Sequence, residues 1–517
     1  MTIAAEFFDK FSTFLAGSLS CFDRVIFKGH IRLLSYPAGL EKFVDHVLGI
    51  PRKDFMPWAK CQSQRIIDHA RRVAEEAGRP YLYLNRPVRK DDLVHDLLRR
   101  QPVDDGLVCV LRCVESSPSF RLAFGQGRPR FAPAQPKCLV FYFYYLDPDL
   151  GLIHVRLPTL FPFAIQVAVN GHNYLARQMR RAGLRFVQED NVFTQLQDPH
   201  VAQRLADHFE RENWPHRLRR LARRVLPLMG DVLKSYTHYW VADQVEYATD
   251  LIFTGRAALA ALYPHLLDYA VLHFAAKDVL TFLGRRLHPR FDGEVLTECR
   301  KDRVPGARIK HRAGRNWLKM YDKLGLVLRV ETVINDPRDF RVRRRRQRQG
   351  ETKMVWCPMS KGVVNLYRYR QVALAANNRY LDALSVVQPG GPVQAPLHRL
   401  AEPQRLRGRS FAGFNPARQR DLAVFQAVLD GDLVLRGLRN VDVRVRLFGP
   451  DPDDPVQRRR RANAVGRLLK RLHVHRILAK VPRSRRWRVT IYGRQQLTAA
   501  VEAYERHVPR PAVRRAA

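Results

Sequence analysis

The chain is short of acid. Across 517 residues, 49 Asp and Glu stand against 90 Lys and Arg, leaving a formal charge of +41. So large an excess of one sign repels itself unless a polyanion neutralises it, which points to nucleic acid. Lysine is scarce too: 17 of the cations are Lys and 73 are Arg, and an Arg excess can arise from codon composition alone. The seven cysteines are scattered; Cys109 and Cys113 are close, but no second pair completes a zinc site. This pattern predicts reduced thiols in a cytoplasmic protein rather than a disulfide scaffold. No apolar run approaches the roughly 20 residues of a membrane span. The longest, Cys138 to Leu146, is aromatic and β-branched and suits a buried strand. The N-terminal stretch carries Glu6, Asp9 and Lys10 among its apolar residues and does not read as a signal peptide. The sequence also lacks GxxxxGK[ST], HExxH and GxSxG, so P-loop hydrolysis, zincin chemistry and a nucleophile elbow are unsupported.

What is present is ample apolar material, 46% of residues, enough for several cores. The expected class is α+β, with a mixed or antiparallel sheet in the body, a helical insert and a C-terminal module. Residues 1–199 read as an α/β body. Phe22–Gly29 is a strand, 61–77 a helix closed by Gly78, and Gly106–Val114 a buried strand. Leu139–Leu146 and Leu152–Leu157 form a hairpin, and Phe163–Val169 leads to Gly171-His172-Asn173, which caps a helix from Tyr174. Here His172 reads as a polar turn residue ahead of a cap or a general base. Helical periodicity governs 200–285. Residues 286–387 complete the body with a second hairpin, Trp317–Lys323 and Leu326–Ile334 about a Leu324-Gly325 turn. Then comes the run Arg343, Arg344, Arg345, Arg346 and a weaker helical stretch. The Pro/Gly-rich segment 388–407 reads as a linker.

Residues 408–517 carry the most specific pattern. A helix at 418–429 precedes a doubtful one at 440–448, where Val441, Val443 and Val445 alternate as in a strand. A third helix, about 456–474, puts Val465, Leu468, Leu469 and Leu472 on one face. Arg459, Arg460, Asn463, Arg467, Lys470 and Arg471 lie on the other, the side-chain types that read base edges and bind phosphates. Ile477–Val481 and Trp487–Tyr492 then form a hairpin tipped by Arg483, Arg485 and Arg486. This order resembles a winged helix-turn-helix. The charge concentrates accordingly: residues 300–350 carry a net +12 and 408–517 a net +16.

Several acids stand out. Asp23 lies inside an apolar strand, where a carboxylate is costly without a partner or metal. Glu331 sits likewise, with Arg329 two residues before it on the same strand face as a candidate partner. Glu246 and Asp250 are read as one helical turn apart. Converging carboxylates are what Mg²⁺-dependent nucleases and transposases need, and ion pairing with arginine is the plain alternative for each.

Two resemblances add to this. Lys319-Met320-Tyr321-Asp322-Lys323 followed by Leu328-Arg329-Val330-Glu331 resembles the K-x-Y-D-K…L-R-x-E strand pair of rolling-circle replication initiators of phage and plasmid type. That resemblance implies Tyr321 as a nucleophile beside a carboxylate-bound metal. The paired histidines of many such nucleases are missing; His473-Val474-His475 has the spacing but ends a helix. Over the whole chain, Phe22–Gly29, Tyr142–Thr159, Asn170–Arg177, Gln244–Asp250 and Ile309–Lys323 resemble a widespread bacterial family described as MarR-type winged-helix regulators, which implies DNA binding. The expectation is therefore a sequence- or structure-selective nucleic-acid-binding protein, DNA ahead of structured RNA, with no membrane partner and compatible with a dimer. The alternative is a metal-dependent nuclease, transposase or replication initiator of a mobile element.

Overall fold

In the computed structural model, the described residues are 5–124, 128–274, 276–286, 295–300, 308–348, 351–387, 400, 403–414, 419–430, 433 and 437–507. They form a mixed α+β protein. The chain divides into two compact units, one from 1–259, 282–285 and 301–382, the other from 260–281, 286–300 and 383–517.

The first unit is built on a large mixed sheet. Its strands from this unit are β1 (Leu15–His30), β2 (Tyr81–Tyr83), β3 (Gly106–Ser116), β4 (Lys137–Asp147), β5 (Gly151–Pro158), β6 (Ile165–Asn170), β7 (Tyr239–Phe253), β8 (Arg308–Ala313), β9 (Asn316–Lys323) and β10 (Val327–Ile334). They lie in the order β8-β9-β10-β7-β1-β6-β5-β4-β3-β2. The β2–β3 pair is parallel; the other neighbouring pairs are antiparallel. β1 and β7 therefore lie at the centre, joined over most of their length.

Local chemistry explains the elements that hold this sheet. Helix α1 (Phe55–Glu76) buries Ile66, Ala70 and Ala74 one turn apart, and the chain leaves it through Gly78 at φ +58. β9 and β10 turn through the three residues Leu324, Gly325 and Leu326, the first two left-handed at φ +60 and +71, so that Lys323 pairs with Val327. Helix α2 (Gly171–Arg181) starts from Asn170, whose side chain accepts from the Asn173 N–H.

Two expectations are corrected. Residues 200–285 are not one helical segment: helices at Pro199–Asp207 and Trp214–Val225 are followed by β7, a central strand. Gln244–Asp250 falls in β7, whose residues from Val245 on are all buried, so the polar alternation that marks a half-solvated strand is missing. The arginine run is a strand, β11 (Arg341–Arg348), paired residue for residue with β12 (Glu351–Pro358). It precedes helix α3 (Leu366–Leu384), which packs on the sheet through Asn377, bonded to Tyr247 O and Thr332. The composition-defined linker lies largely outside the described residues. Its end, Gln404–Leu406, pairs with Arg409–Phe411.

In the second unit, helices α4 (Gln419–Leu429), α5 (Asn440–Phe448) and α6 (Pro455–Val474) precede a hairpin of β13 (Leu478–Lys480) and β14 (Trp487–Val489), then α7 (Ile491–His507). Leu438 bridges Trp487, adding a third short extended segment. Phe425, Val443, Val465, Leu469, Leu472, Ile477 and Leu497 share one core. The doubtful helix is thus real. Of the three alternating valines only Val443 is buried, and the other two face outward.

Candidate functional site

Four adjacent strands, β1, β7, β10 and β9, turn one face toward a common patch. Cross-strand partners fix who meets whom: Cys21 opposes Ala248, Ala248 opposes Glu331, and Glu331 opposes Lys319. One step along, Asp250 opposes Arg329, which opposes Tyr321. The small Ala248 between Glu246 and Asp250 leaves room for acid side chains from three strands. A β-bulge completes the arrangement. Phe22 pairs with Tyr247 and Val25 with Val245, so Asp23 and Arg24 together oppose Glu246. Such bulges re-aim side chains, and here both neighbours reach the cluster.

The inner half is an ion network closed from water. Arg329 is fully buried; its Nε and Nη2 grip Asp250 at 2.6 and 2.7 Å, and Nη2 also reaches Asn191 O. His172, equally buried, places Nε2 2.9 Å from Arg329 Nη2 and 3.4 Å from Cys21 Sγ. Its Nδ1 stands 2.9 Å from Asp23 Oδ1, while Arg329 Nη1 stands 3.6 Å from that oxygen. Neither nitrogen has the alignment of a hydrogen bond. Asn191, at the turn between Phe186–Glu189 and Val192–Leu196, donates to Asp23 from above. Burial alone would raise the Asp23 and Asp250 carboxyls; Arg329 and His172 overcome it and hold both below the usual range. Burial also opposes a charged imidazole, yet Cys21 and the two carboxylates hold the His172 pKa well above its ordinary value.

The outer half gathers the acids. Asp23, Glu246 and Glu331, all buried, each offer an oxygen within 4.8 Å of the others. Oxygen ligands stand about 2.0–2.6 Å from Mg²⁺ or Ca²⁺, so two ligands of one ion lie up to about twice that apart, and the triad fits one divalent cation. Cationic side chains border it: Lys319 Nζ is 2.7 Å from Glu331 Oε1 and Arg24 is 2.7 Å from Glu246 Oε1. Tyr321 donates to Glu331 Oε2 at 2.5 Å. Burial, then repulsion from Glu331, push the Glu246 carboxyl up to about 7 despite Lys319 and Arg24. Like carboxylates this close resist full ionisation unless a further positive charge arrives.

The five acid and tyrosine candidates, Asp23, Glu246, Asp250, Tyr321 and Glu331, thus come together, with two changes of role. Arg329 serves Asp250 rather than Glu331, whose partner is Lys319 across the strand pair. Asp250 belongs to the inner ion network instead of the carboxylate triad. The Tyr321 hydroxyl is held protonated by burial and by Glu331, which does not favour it as a nucleophile. Sequence reasoning missed Asn191, Lys319 and Arg24, and preferred a turn role for His172. Packing sets the place of His172: it follows Gly171, whose added Cβ would lie 1.9 Å from Phe22 O, so the helix start presses against β1 beside Cys21 and Asp23.

The candidate nucleic-acid contacts divide in the same way. On α6, Arg459, Arg460, Asn463, Arg467 and Lys470 are exposed, and none forms an ion pair among the described residues. Arg471 is not among them: it donates to Ala412 O and Gly413 O and lies 3.8 Å over the Phe414 ring. At the hairpin tip Arg483 and Arg485 are exposed, whereas Arg486 is half-buried against Gly437 O. On β11, Arg343, Arg345 and Arg346 are exposed, and Arg344 bonds Ser360.

Among the described residues no helix is long and apolar enough to cross a membrane. Comparison with models of known protein families, with curated proteins and with solved structures finds no match.

Proposed function

We propose that the protein binds nucleic acid, DNA ahead of structured RNA, through a C-terminal winged helix whose α6 enters the groove and whose β13–β14 tip contacts flanking backbone. The observation that carries this reading is the outer face of α6. Three acids of this module are taken by other arginines: Asp430 by Arg446, Asp442 by Arg439 and Asp451 by Arg444. Arg458 and Arg461 are tied to backbone carbonyls of the preceding turn. Arg459, Arg460, Arg467 and Lys470 are left pointing at solvent, a row of like charges that repel one another until phosphates intervene. Titration of labelled single- and double-stranded DNA and RNA tests this. Tight, salt-sensitive binding that weakens at least tenfold in an Arg459→Glu, Arg467→Glu variant supports it, and unchanged binding rejects it.

The carboxylate triad favours a second reading, that the body cuts what the module binds. Asp23, Glu246 and Glu331 would hold a Mg²⁺ ion, which polarises a phosphate oxygen and lowers the pKa of bound water. Lys319 and Arg24 would then orient and neutralise the phosphate. Mg²⁺-dependent cleavage of the bound strand, lost in Glu331→Gln and in Glu246→Gln with binding retained, is the expected result. Binding without cleavage in Mg²⁺ or Mn²⁺ leaves only the first reading standing.

A further inference from the structure

The β11–β12 ribbon presents a second cationic surface, different in kind from the outer face of α6. Its base is anchored: Phe340, Val342 and Met359 are buried, and Met359 N bonds Phe340 O. Beyond the base it stands in solvent. The two strands contain six arginines and one lysine against one glutamate, so the ribbon is cationic on both faces. The faces are not alike. Cross-strand pairing sets Arg343 opposite Trp356 and Arg345 opposite Met354, and all four side chains are exposed.

Trp356 is 61% exposed and Met354 52%. A tryptophan so open to water is unusual on a soluble protein without a binding role. Arg343 Cζ lies over the Trp356 ring, 5.9 Å from its centre, and the tryptophan still keeps most of its surface open to solvent. An indole face flanked by unpaired arginines matches a single-stranded polynucleotide: the ring stacks a base and the guanidinium groups take adjacent phosphates. A duplex hides its base faces and has nothing to offer the indole. The arginines alone would suit any polyanion. The aromatic surface selects the occupant.

From this geometry we infer that the β11–β12 ribbon binds single-stranded nucleic acid, with Trp356 stacking a base between phosphates held by Arg343 and Arg345. The inference rests on the nucleic-acid reading above and gives it a strand preference. The test uses the full chain, fluorescently labelled single-stranded and duplex oligonucleotides of equal length, and the variants Trp356→Ala, Trp356→Phe and Arg343→Ala, Arg345→Ala. Removing one stacking side chain weakens single-strand binding on the order of tenfold. Trp356→Phe is expected to restore most of the loss, and duplex affinity to change less than about twofold. Equal loss for duplex and single strand would make the ribbon a groove reader and overturn the stacking role. Unchanged affinity in Trp356→Ala also overturns it while nucleic-acid binding stands. Failure of the wild-type chain to bind any oligonucleotide rejects both readings. Because Trp356 is on the surface, circular dichroism of each variant should match the wild type, which separates lost binding from lost fold.

Discussion

Arg329 holds two carboxylates at once, so its loss has a sign that can be stated in advance. Replacing it with Met leaves Asp250 and Asp23 buried without their guanidinium, and breaking a buried pair from one side costs about 3–5 kcal/mol. Equilibrium denaturation in urea measures this; a cost under about 1 kcal/mol would mean water reaches the network. Elsewhere Glu115 accepts from Tyr142 at 2.8 Å and from Arg156 at 2.9 Å. Burial raises its carboxyl, but these donors prevail and pull it down to about 2 from the ordinary 4.5. A folded pKa below the unfolded one contributes stability above about pH 4.5, lost as pH falls toward 2. Glu115→Gln should lower the melting temperature at pH 6 and converge with the wild type near pH 2. A pH-independent difference would show that the hydrogen bonds act without the charge.

Among elements, the start of α2 positions His172, and Gly171 makes that approach possible. Gly171→Ala drives a Cβ toward Phe22 O, and overpacking of this kind costs about 1–3 kcal/mol. A urea midpoint unchanged in that variant would show that β1 and α2 separate freely. The elements also show what was legible. Both hairpins of the body and the long helices α1 and α6 announced themselves through turn glycines and apolar spacing. β7 did not: Glu246 and Asp250, four residues apart, share a face in a helix and in a strand alike, so the shared face was correct and the element wrong. The Asp23–Arg24 bulge left no trace, because it depends on which residue of β7 lies opposite. Asp23 and Glu331 were readable as costly strand acids. Their partners Lys319 and His172 became apparent only once register and packing set distances.

For the whole molecule, the proposed nucleic-acid binding and the charge of +41 together predict an affinity that depends on salt. Each phosphate neutralised contributes about −0.9 to the slope of log affinity against log salt for duplex DNA. Removing two of the proposed contacts with Arg459→Ala and Arg467→Ala should make that slope shallower by about two. An unchanged slope would place the phosphate contacts elsewhere. The central position of β1 and β7 has a further consequence, for synthesis rather than binding. The carboxylates lie at 23, 246 and 331, so the nascent chain carries the first of them for some three hundred residues before the last is made. Contacts so distant in sequence close late. Until β10 emerges, Asp23 and Asp250 lack their guanidinium and have every reason to stay in water. A chain interrupted before residue 327 therefore holds no assembled centre, and whatever chemistry the triad supports is withheld until the body is whole.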